Sequence, residues 1–249
     1  MEPRIERGAA PDIHRIEDAG VNWYLVEADS GLTIVDAGVP RSWDSLQRVL
    51  GMIGRDLSEV RALVLTHAHF DHIGMAERVR TELGVPVHLH ENDVPLARKP
   101  LQYTHERARS RYLLTKPGGL PHVFGFLAAR AFWPPPVRET RPFSEGVLDV
   151  PGSPRVVFTP GHTVGHCALH FADRDAVIAG DALVMLDPYL GAKGPRIVAG
   201  AATADSEWAL ASLDALAELE AGTVLTGHGE PWRNGTAEAV RLARQVGPS

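Results

Sequence analysis

Thr66-His67-Ala68-His69-Phe70-Asp71-His72 is the stretch whose reading decides the fold, and it follows directly on the apolar run Ala62–Leu65. Consecutive apolar residues without alternation are what a strand covered on both faces presents. The histidines therefore stand where a buried strand ends. In an extended chain alternate side chains share a direction, so His67 and His69 aim the same way. Asp71 and His72 fall where the chain turns into the next helix, within reach of a second position nearby. Chance supplies such a four-residue pattern in a chain of this composition roughly twice in a thousand. The competing reading is a polar loop in which Asp71 caps the following helix. Against it stands the cost of leaving four unpaired polar side chains at the end of a buried strand.

Working outward, three later segments repeat the grammar of apolar strand, small residue, ligand. Pro160-Gly161-His162-Thr163 follows the strand-like Arg155–Phe158, Gly180-Asp181 follows Ala176–Ile178, and Gly227-His228-Gly229 follows Thr223–Leu225. Each alone is weak, because a single histidine after a strand is commonly a satisfied loop residue. Together with the first cluster they supply seven metal-ligand side chains, all at strand ends, and loops at one edge of a sheet are where α/β proteins build their sites. Twelve histidines stand beside a single cysteine, so a transition metal bound here must rely on imidazole and carboxylate.

The rest of the chain frames this cluster. Its 249 residues are 44% hydrophobic and 22% charged, which excludes a disordered chain, a coiled coil and a collagen-like fibre. A net charge of −6 argues against nucleic acid as a partner over the whole surface. No apolar stretch approaches the roughly 18–20 residues of a membrane helix, and Met1–Arg15 has no signal-type apolar run. The expectation is a cytoplasmic protein with no membrane partner, and nothing in the sequence sets its oligomeric state. Cys167 has no intrachain disulfide partner and reads as buried packing.

Short strands are expected at Ile13–Ile16, Trp23–Glu27, Leu32–Val35, Val85–His90, Val147–Val150 and Cys167–Phe171. Helices are expected after the cap Ser42, over Gly74–Leu83, from the cap Thr203 to Gly222, and from Thr236 onward. Irregular alternation of this kind means α/β or α+β architecture. We expect one domain over residues 1–249, interrupted by an inserted region at about 91–145. Between Leu96 and Pro142 nine arginines and lysines oppose two glutamates, interleaved with Tyr103, Tyr112, Phe124, Phe126, Phe132 and Trp133. Two readings compete for it: a substrate cap with a basic rim, including Arg107 and Arg111, for an anionic small molecule, and a helical hairpin whose aromatics simply pack on the body. Tyr189, in the loop after Asp181, borders the same pocket if that loop folds inward.

The set His67/His69/Asp71/His72, His162, Asp181 and His228, preceded by Val35-Asp36-Ala37-Gly38, resembles the metallo-β-lactamase superfamily, with motifs in family order from about residue 12 to 232. The resemblance implies a four-layer αββα sandwich of two mixed β-sheets with outer helices, plus the helical cap insertion. It implies that His67, His69 and His162 bind one metal, that Asp71, His72 and His228 bind a second, and that Asp181 bridges both. Asp36 is then the aspartate that orients the site without binding metal. Two Zn²⁺ ions suit such a donor set, with Fe or Mn as alternatives. Paired metals bring a bridging water to hydroxide near neutral pH, and Asp71 is placed to orient it.

The expected function is a metal-dependent hydrolase that opens an ester, thioester, lactone or related bond of a small molecule, with Asp71 and Asp181 as catalytic carboxylates. An aspartate at 181 departs from the cysteine-ligand β-lactamases. Only about 20 residues follow His228, unlike glyoxalase II with its added helical domain. Val184 stands where acyl-homoserine-lactone lactonases carry a tyrosine, leaving Tyr189 as a substitute. The alternative is a persulfide dioxygenase with one iron, which resembles the chain through the first motif and Gly161-His162-Thr163. A nucleic-acid phosphodiesterase is a third reading, opposed by the acidic balance.

Overall fold

Ala62, Leu63 and Val64 lie in a strand that is covered on both faces, and the same holds for its neighbours. The computed structural model describes residues 2–115 and 117–249, with the side chains of Arg111, Leu113, Leu114, Pro117 and His122 outside the described set. In chain order the first strands are β1 (Arg4–Ala10), β2 (Ile13–Asp18), β3 (Val21–Ala28) and β4 (Gly31–Val35). Helix α1 (Ser42–Ile53), β5 (Val60–Val64), α2 (Ala76–Leu83) and β6 (Val87–His90) follow. The inserted region contributes α3 (Val94–Ala97), α4 (Arg109–Thr115), α5 (Leu120–Ala128) and β7 (Arg141–Phe143). The second half holds β8 (Arg155–Phe158), β9 (Cys167–Phe171), β10 (Ala176–Gly180), β11 (Val184–Asp187) and β12 (Ala192–Arg196). It ends with α6 (Ser206–Ala217), β13 (Thr223–Thr226) and α7 (Thr236–Val246).

Strands β1 to β7 form one mixed sheet in sequential order, antiparallel through β4 and parallel from β4 to β7. A second mixed sheet has the order β13-β10-β9-β8, and β11 with β12 makes a hairpin. Alternation at period two assigns the layers. Tyr24, Val26, Val35, Ala62 and Val64 face Cys167, Leu169, Phe171 and Ile178 of the other sheet, forming the core between sheets. The opposite faces are closed by helices: Ile34 and Leu63 meet Leu46, Val49 and Val79 of α1 and α2. Val177 and Ala179 meet Leu213, Leu216, Val240 and Ala243 of α6 and α7. The architecture is an αββα sandwich, as expected.

Departures from the sequence reading have local causes. Residues 147–150 form no strand; Val147 makes one isolated bridge to Arg155. The cap of α6 is Asp205, whose side chain accepts from the Trp208 N–H, and Thr203 serves elsewhere. Ser42 does not cap α1 from outside: it is the first helical residue, and its hydroxyl accepts from the Val39 N–H. Asp71 caps no helix, since α2 starts at Ala76. Strand β1 was hidden because its sequence is largely polar and carries no apolar alternation. Cys167 is fully buried in the inter-sheet core, and burial pushes its thiol up.

Leu169 is fully buried between the sheets. Leu169→Ala is expected to lower unfolding free energy by about 2–5 kcal/mol in urea titration, through lost transfer energy and the cavity left behind.

Candidate metal centre

Five strands end at one edge of the sandwich, and each delivers a polar side chain there. Strand β4 leads to Asp36, β5 to His67–His72, β8 to His162, β10 to Asp181 and β13 to His228. Strands β4 and β5 are parallel, as are β10 and β13, while β8 and β10 both run antiparallel to the intervening β9. Hydrogen bonds stitch the two sheets together at this edge. Cys167 N–H donates to Thr66 O at 2.9 Å. The Tyr24 hydroxyl and the Asn22 amide both donate to Thr226 O, at 2.7 and 2.8 Å.

The residues named from sequence come together. Ligand atoms of His67, His69 and His162 lie within 4.8 Å of one another, and so do those of Asp71, His72 and His228. Asp181 stands between the two groups: its Oδ2 is 3.5 Å from His162 Nε2 and 3.4 Å from His228 Nε2, and its Oδ1 is 3.6 Å from His72 Nε2. Asp71 Oδ2 is 3.5 Å from His228 Nε2. All seven side chains are buried. Nevertheless His67, His69, His72 and His162 Nε2, with Asp181 Oδ1, have no hydrogen-bond partner. Orphaned buried polar atoms are rare in native proteins because each forfeits its hydration. Five gathered at one edge are an arrangement that bound cations satisfy.

For His67, His72 and His162 the opposite ring nitrogen is engaged from behind, which turns Nε2 towards the centre. His72 Nδ1 meets Asp36 Oδ2 at 3.1 Å, and His228 Nδ1 donates to Gly20 O at 2.8 Å. The Thr66 hydroxyl donates to Asp36 at 2.9 Å, so it accepts from His67 Nδ1 at 3.0 Å. The Thr203 hydroxyl donates to Val198 O at 2.7 Å, and so accepts from His162 Nδ1 at 3.3 Å. With the proton held on Nδ1, the Nε2 lone pair is left facing inward, as metal-binding imidazoles require. Asp36 also lies near His67 and His72, but its carboxylate is committed to Thr66 N–H, the Thr66 hydroxyl and His72. It orients the cluster. It adopts a left-handed φ of 59°, which places its carboxylate under the β5 turn.

Two further positioning residues escaped the sequence reading. His166 Nε2 accepts the backbone N–H groups of Asp181 and Ala182 at 3.0 and 3.2 Å, while its Nδ1 meets the Thr159 hydroxyl at 2.9 Å. It holds the turn that presents Asp181. Asp93 accepts from Ala68 N–H at 3.0 Å, the Thr163 hydroxyl at 2.8 Å and Gly165 N–H at 2.9 Å, tying the His67–His69 loop to the His162 loop. A lone polar residue after a short strand gives no local signal of such a task. Gly227 shows how tightly the centre is packed, since a Cβ there would overlap Asp181 Oδ1.

Electrostatics divides the cluster. Burial, reinforced by neighbouring imidazoles, holds His67 and His69 far below the ordinary histidine range, and burial takes His162 down to about 4. These three are neutral donors. Burial also acts on His72, but the carboxylates of Asp181, Asp71 and Asp36 outweigh it and raise it to about 10. Burial raises Asp71, whereas for Asp181 the burial cost is outweighed by His228, His72 and His162, which hold it far below the carboxylate range. The side bearing the carboxylates thus favours positive charge, which a divalent cation brings.

Outside the cluster, a cleft of about 390 Å³ opens on His69 and His162 and is walled by Leu96, Lys99, Gln102, Tyr103 and Val164. A smaller void of about 10 Å³ touches Asp71, Asp181, His228 and Tyr189. Tyr189 therefore borders the centre, with its hydroxyl 3.2 Å from that of Tyr103. Tyr103 in turn packs on the His69 ring with centroids 4.1 Å apart and carries the Arg109 guanidinium on its face. Arg107 is exposed and lines neither space; its backbone N–H is bound to Gly200 O. The Arg111 side chain lies outside the described residues, as does Lys116. Tyr103, Phe126 and Phe132 pack with Phe70 of the ligand loop, while Phe124 and Trp133 are exposed.

Burial pushes Asp93 up to about 6, above its ordinary value of 3.8. A carboxyl raised on folding contributes most when protonated, so its contribution falls as pH rises through the folded value. Asp93→Ala strands three donors, at roughly 1–3 kcal/mol each. The stability margin of wild type over this variant is expected to shrink from pH 5 to pH 8 in denaturant titrations; a margin that grows would contradict the buried-carboxyl account.

Comparison with known proteins agrees with this geometry. A family model described as the metallo-beta-lactamase superfamily matches residues 16–228. A Bacillus subtilis (strain 168) protein described as the probable metallo-hydrolase YflN is 28% identical, with 96% of this chain and 92% of that protein covered. Among solved structures, TTHA1623 in a di-iron-bound form is 28% identical with a TM-score of 0.61, covering 96% of this chain and 97% of its own. The metallo-beta-lactamase family protein TTHA1429 from Thermus thermophilus is 25% identical with a TM-score of 0.67, covering 95% and 79%. With the match running from the second strand to the last histidine of the cluster, the chain belongs to the metallo-beta-lactamase superfamily.

Proposed function

We propose that the chain is a metal-dependent hydrolase that cleaves an ester, thioester, lactone or related bond of a small molecule at a dinuclear centre. The observation that carries this reading is the set of buried, unpartnered Nε2 atoms gathered in two adjoining ligand groups while the Nδ1 atoms of His67, His72 and His162 are held from behind. In this reading His67, His69 and His162 hold one metal, Asp71, His72 and His228 hold the other, and Asp181 joins them. Zinc suits imidazole and carboxylate donors, with iron or manganese as alternatives. The di-iron form of TTHA1623 supports a two-metal reading. The description of YflN supports hydrolysis.

Paired divalent metals supply a hydroxide nucleophile near neutral pH and stabilise charge on the attacked oxygen. The protein's own part is positional. Asp71 borders a void about large enough for one water and would orient the attacking water there. Asp181 fixes the spacing of the two histidine groups, and His166 and Asp93 keep their loops in place. Hydrolysis transfers the water oxygen to the acyl product, and the remaining proton leaves with the alcohol or thiol. Tyr103 and Lys99, at the cleft, support assigning residues 91–145 as a substrate cap within a single domain. No helix among the described residues is long and apolar enough to cross a membrane. A small-molecule substrate and a cytoplasmic setting complete the proposal.

The test is elemental mass spectrometry on protein purified without added metal or chelator. We expect close to two zinc ions per chain, and His72→Ala is expected to retain about one while losing at least about 100-fold in hydrolysis of a thioester, lactone and ester panel. One iron per chain, with oxygen consumed in the presence of a persulfide, would replace this reading by the dioxygenase. The complete Asp71/His72/His228 group favours the two-metal hydrolase.

A further inference from the structure

The cleft that opens on His69 and His162 does not end at its own walls. A second cleft, also about 390 Å³, shares Lys99 and Gln102 with it and continues to Leu101, Phe132 and Trp133. The two adjoin at Lys99 and Gln102 and together outline a groove that starts at the metal centre. Its far part is apolar and uncovered: Leu101 is 46% exposed and Trp133 67%. Pro100, Pro134 and Pro136 build the rest of that wall. Proline has no N–H to donate, so a peptide or sugar would find few partners along it. An aliphatic chain needs none. The charged groups on the groove are Arg98 and Lys99, both exposed, and Asp93, whose two oxygens are already bound by Ala68, Thr163 and Gly165. The far part of the groove is thus apolar, the near part mixes Leu96, Tyr103 and Val164 with Asn92, Gln102 and Thr104, and Lys99, shared by both, adds positive charge with Arg98 beside it.

We propose that this groove holds an extended aliphatic acyl chain, making the substrate a medium- or long-chain acyl ester or thioester; the inference rests on the hydrolase reading above. The acyl carbon sits at the His69/His162 end. The chain passes between the Lys99 stem and Gln102 and finishes against Leu101, Phe132 and Trp133. Long lysine stems cover apolar surface while the ammonium stays in water. The Arg98 and Lys99 charges then favour amphiphiles that carry negative charge.

The experiment is calorimetric binding of hexanoate and decanoate to the protein as purified with its metals. The two carboxylates share a head group, so their difference reports the chain alone. Decanoate is expected to bind at least tenfold tighter, given a gain of about fourfold for each methylene removed from water. Trp133→Ser is expected to remove most of that gain and leave hexanoate unchanged. Phe124→Ser, an equally exposed aromatic that lines neither cleft, is expected to change neither. In parallel, kcat/KM for nitrophenyl esters is expected to rise with chain length from acetyl to decanoyl, and Trp133→Ser is expected to flatten the series. Equal binding of the two carboxylates, or a decanoate affinity indifferent to Trp133→Ser, overturns the groove assignment whether or not esters are cleaved. Trp133-dependent decanoate binding without turnover of any ester or thioester supports the chain-binding groove and overturns the hydrolase reading alone.

Discussion

Everything at the active edge depends on where the imidazole protons are kept. A buried neutral histidine has one nitrogen that donates and one that accepts, and only the second can bind a metal. This chain decides the matter from behind, using partners that have no choice of role. Gly20 contributes a carbonyl, Asp36 a carboxylate, and Thr66 and Thr203 hydroxyls whose single protons are spent on Asp36 and Val198. Remove that backing and the inward lone pairs lose their definition.

The sandwich exists to hold this arrangement rigid. Ligands come from both sheets, so the centre is only as precise as the contact between them. That contact is an interdigitated apolar layer, reinforced at the active edge by Cys167 N–H on Thr66 O and by Tyr24 and Asn22 on Thr226 O. Asp93 adds a polar tie across the same gap. A carboxylate there costs solvation, and burial is why its pKa rises to about 6. In return, three donors at the roots of two ligand loops are satisfied by one side chain.

The inserted region does two things at once. Tyr103, Phe126 and Phe132 pack on Phe70, which sits between His69 and Asp71, so the insertion braces the ligand loop. Its other surface borders the groove that leads from the centre. The two sequence readings of this segment, packing aromatics and an aromatic pocket, are therefore divided among its residues: the buried ones pack, and exposed Trp133 faces the groove. Sequence points to Arg107 and Arg111 for the basic rim; Arg107 lines neither space, the Arg111 side chain is outside the described set, and among the described residues Lys99 lines the cleft.

Local sequence was enough to reveal the buried strand before His67, the ligand types at the ends of four strands, and the family. Those features are written in neighbouring residues: an apolar run, an alternation, a small residue before a histidine. It also carried the single buried cysteine and most helices. The pairing of His67, His69 and His162 as one group and Asp71, His72 and His228 as another was only implied by resemblance, and becomes a distance only when two sheets meet. His166 and Asp93 went unnoticed and Thr203 reads as a helix cap, because the contacts that reveal their tasks, to Asp181, Gly165 and His162, span 15 to 72 positions. Strands β1 and β12 were missed because pairing and loop context, rather than apolar pattern, make them strands, and β11, though apolar, is only 4 residues long. Chemistry that depends on residue type is legible along the chain, whereas tautomers, charge balance and the path of a groove depend on long-range contacts that only the folded structure decides.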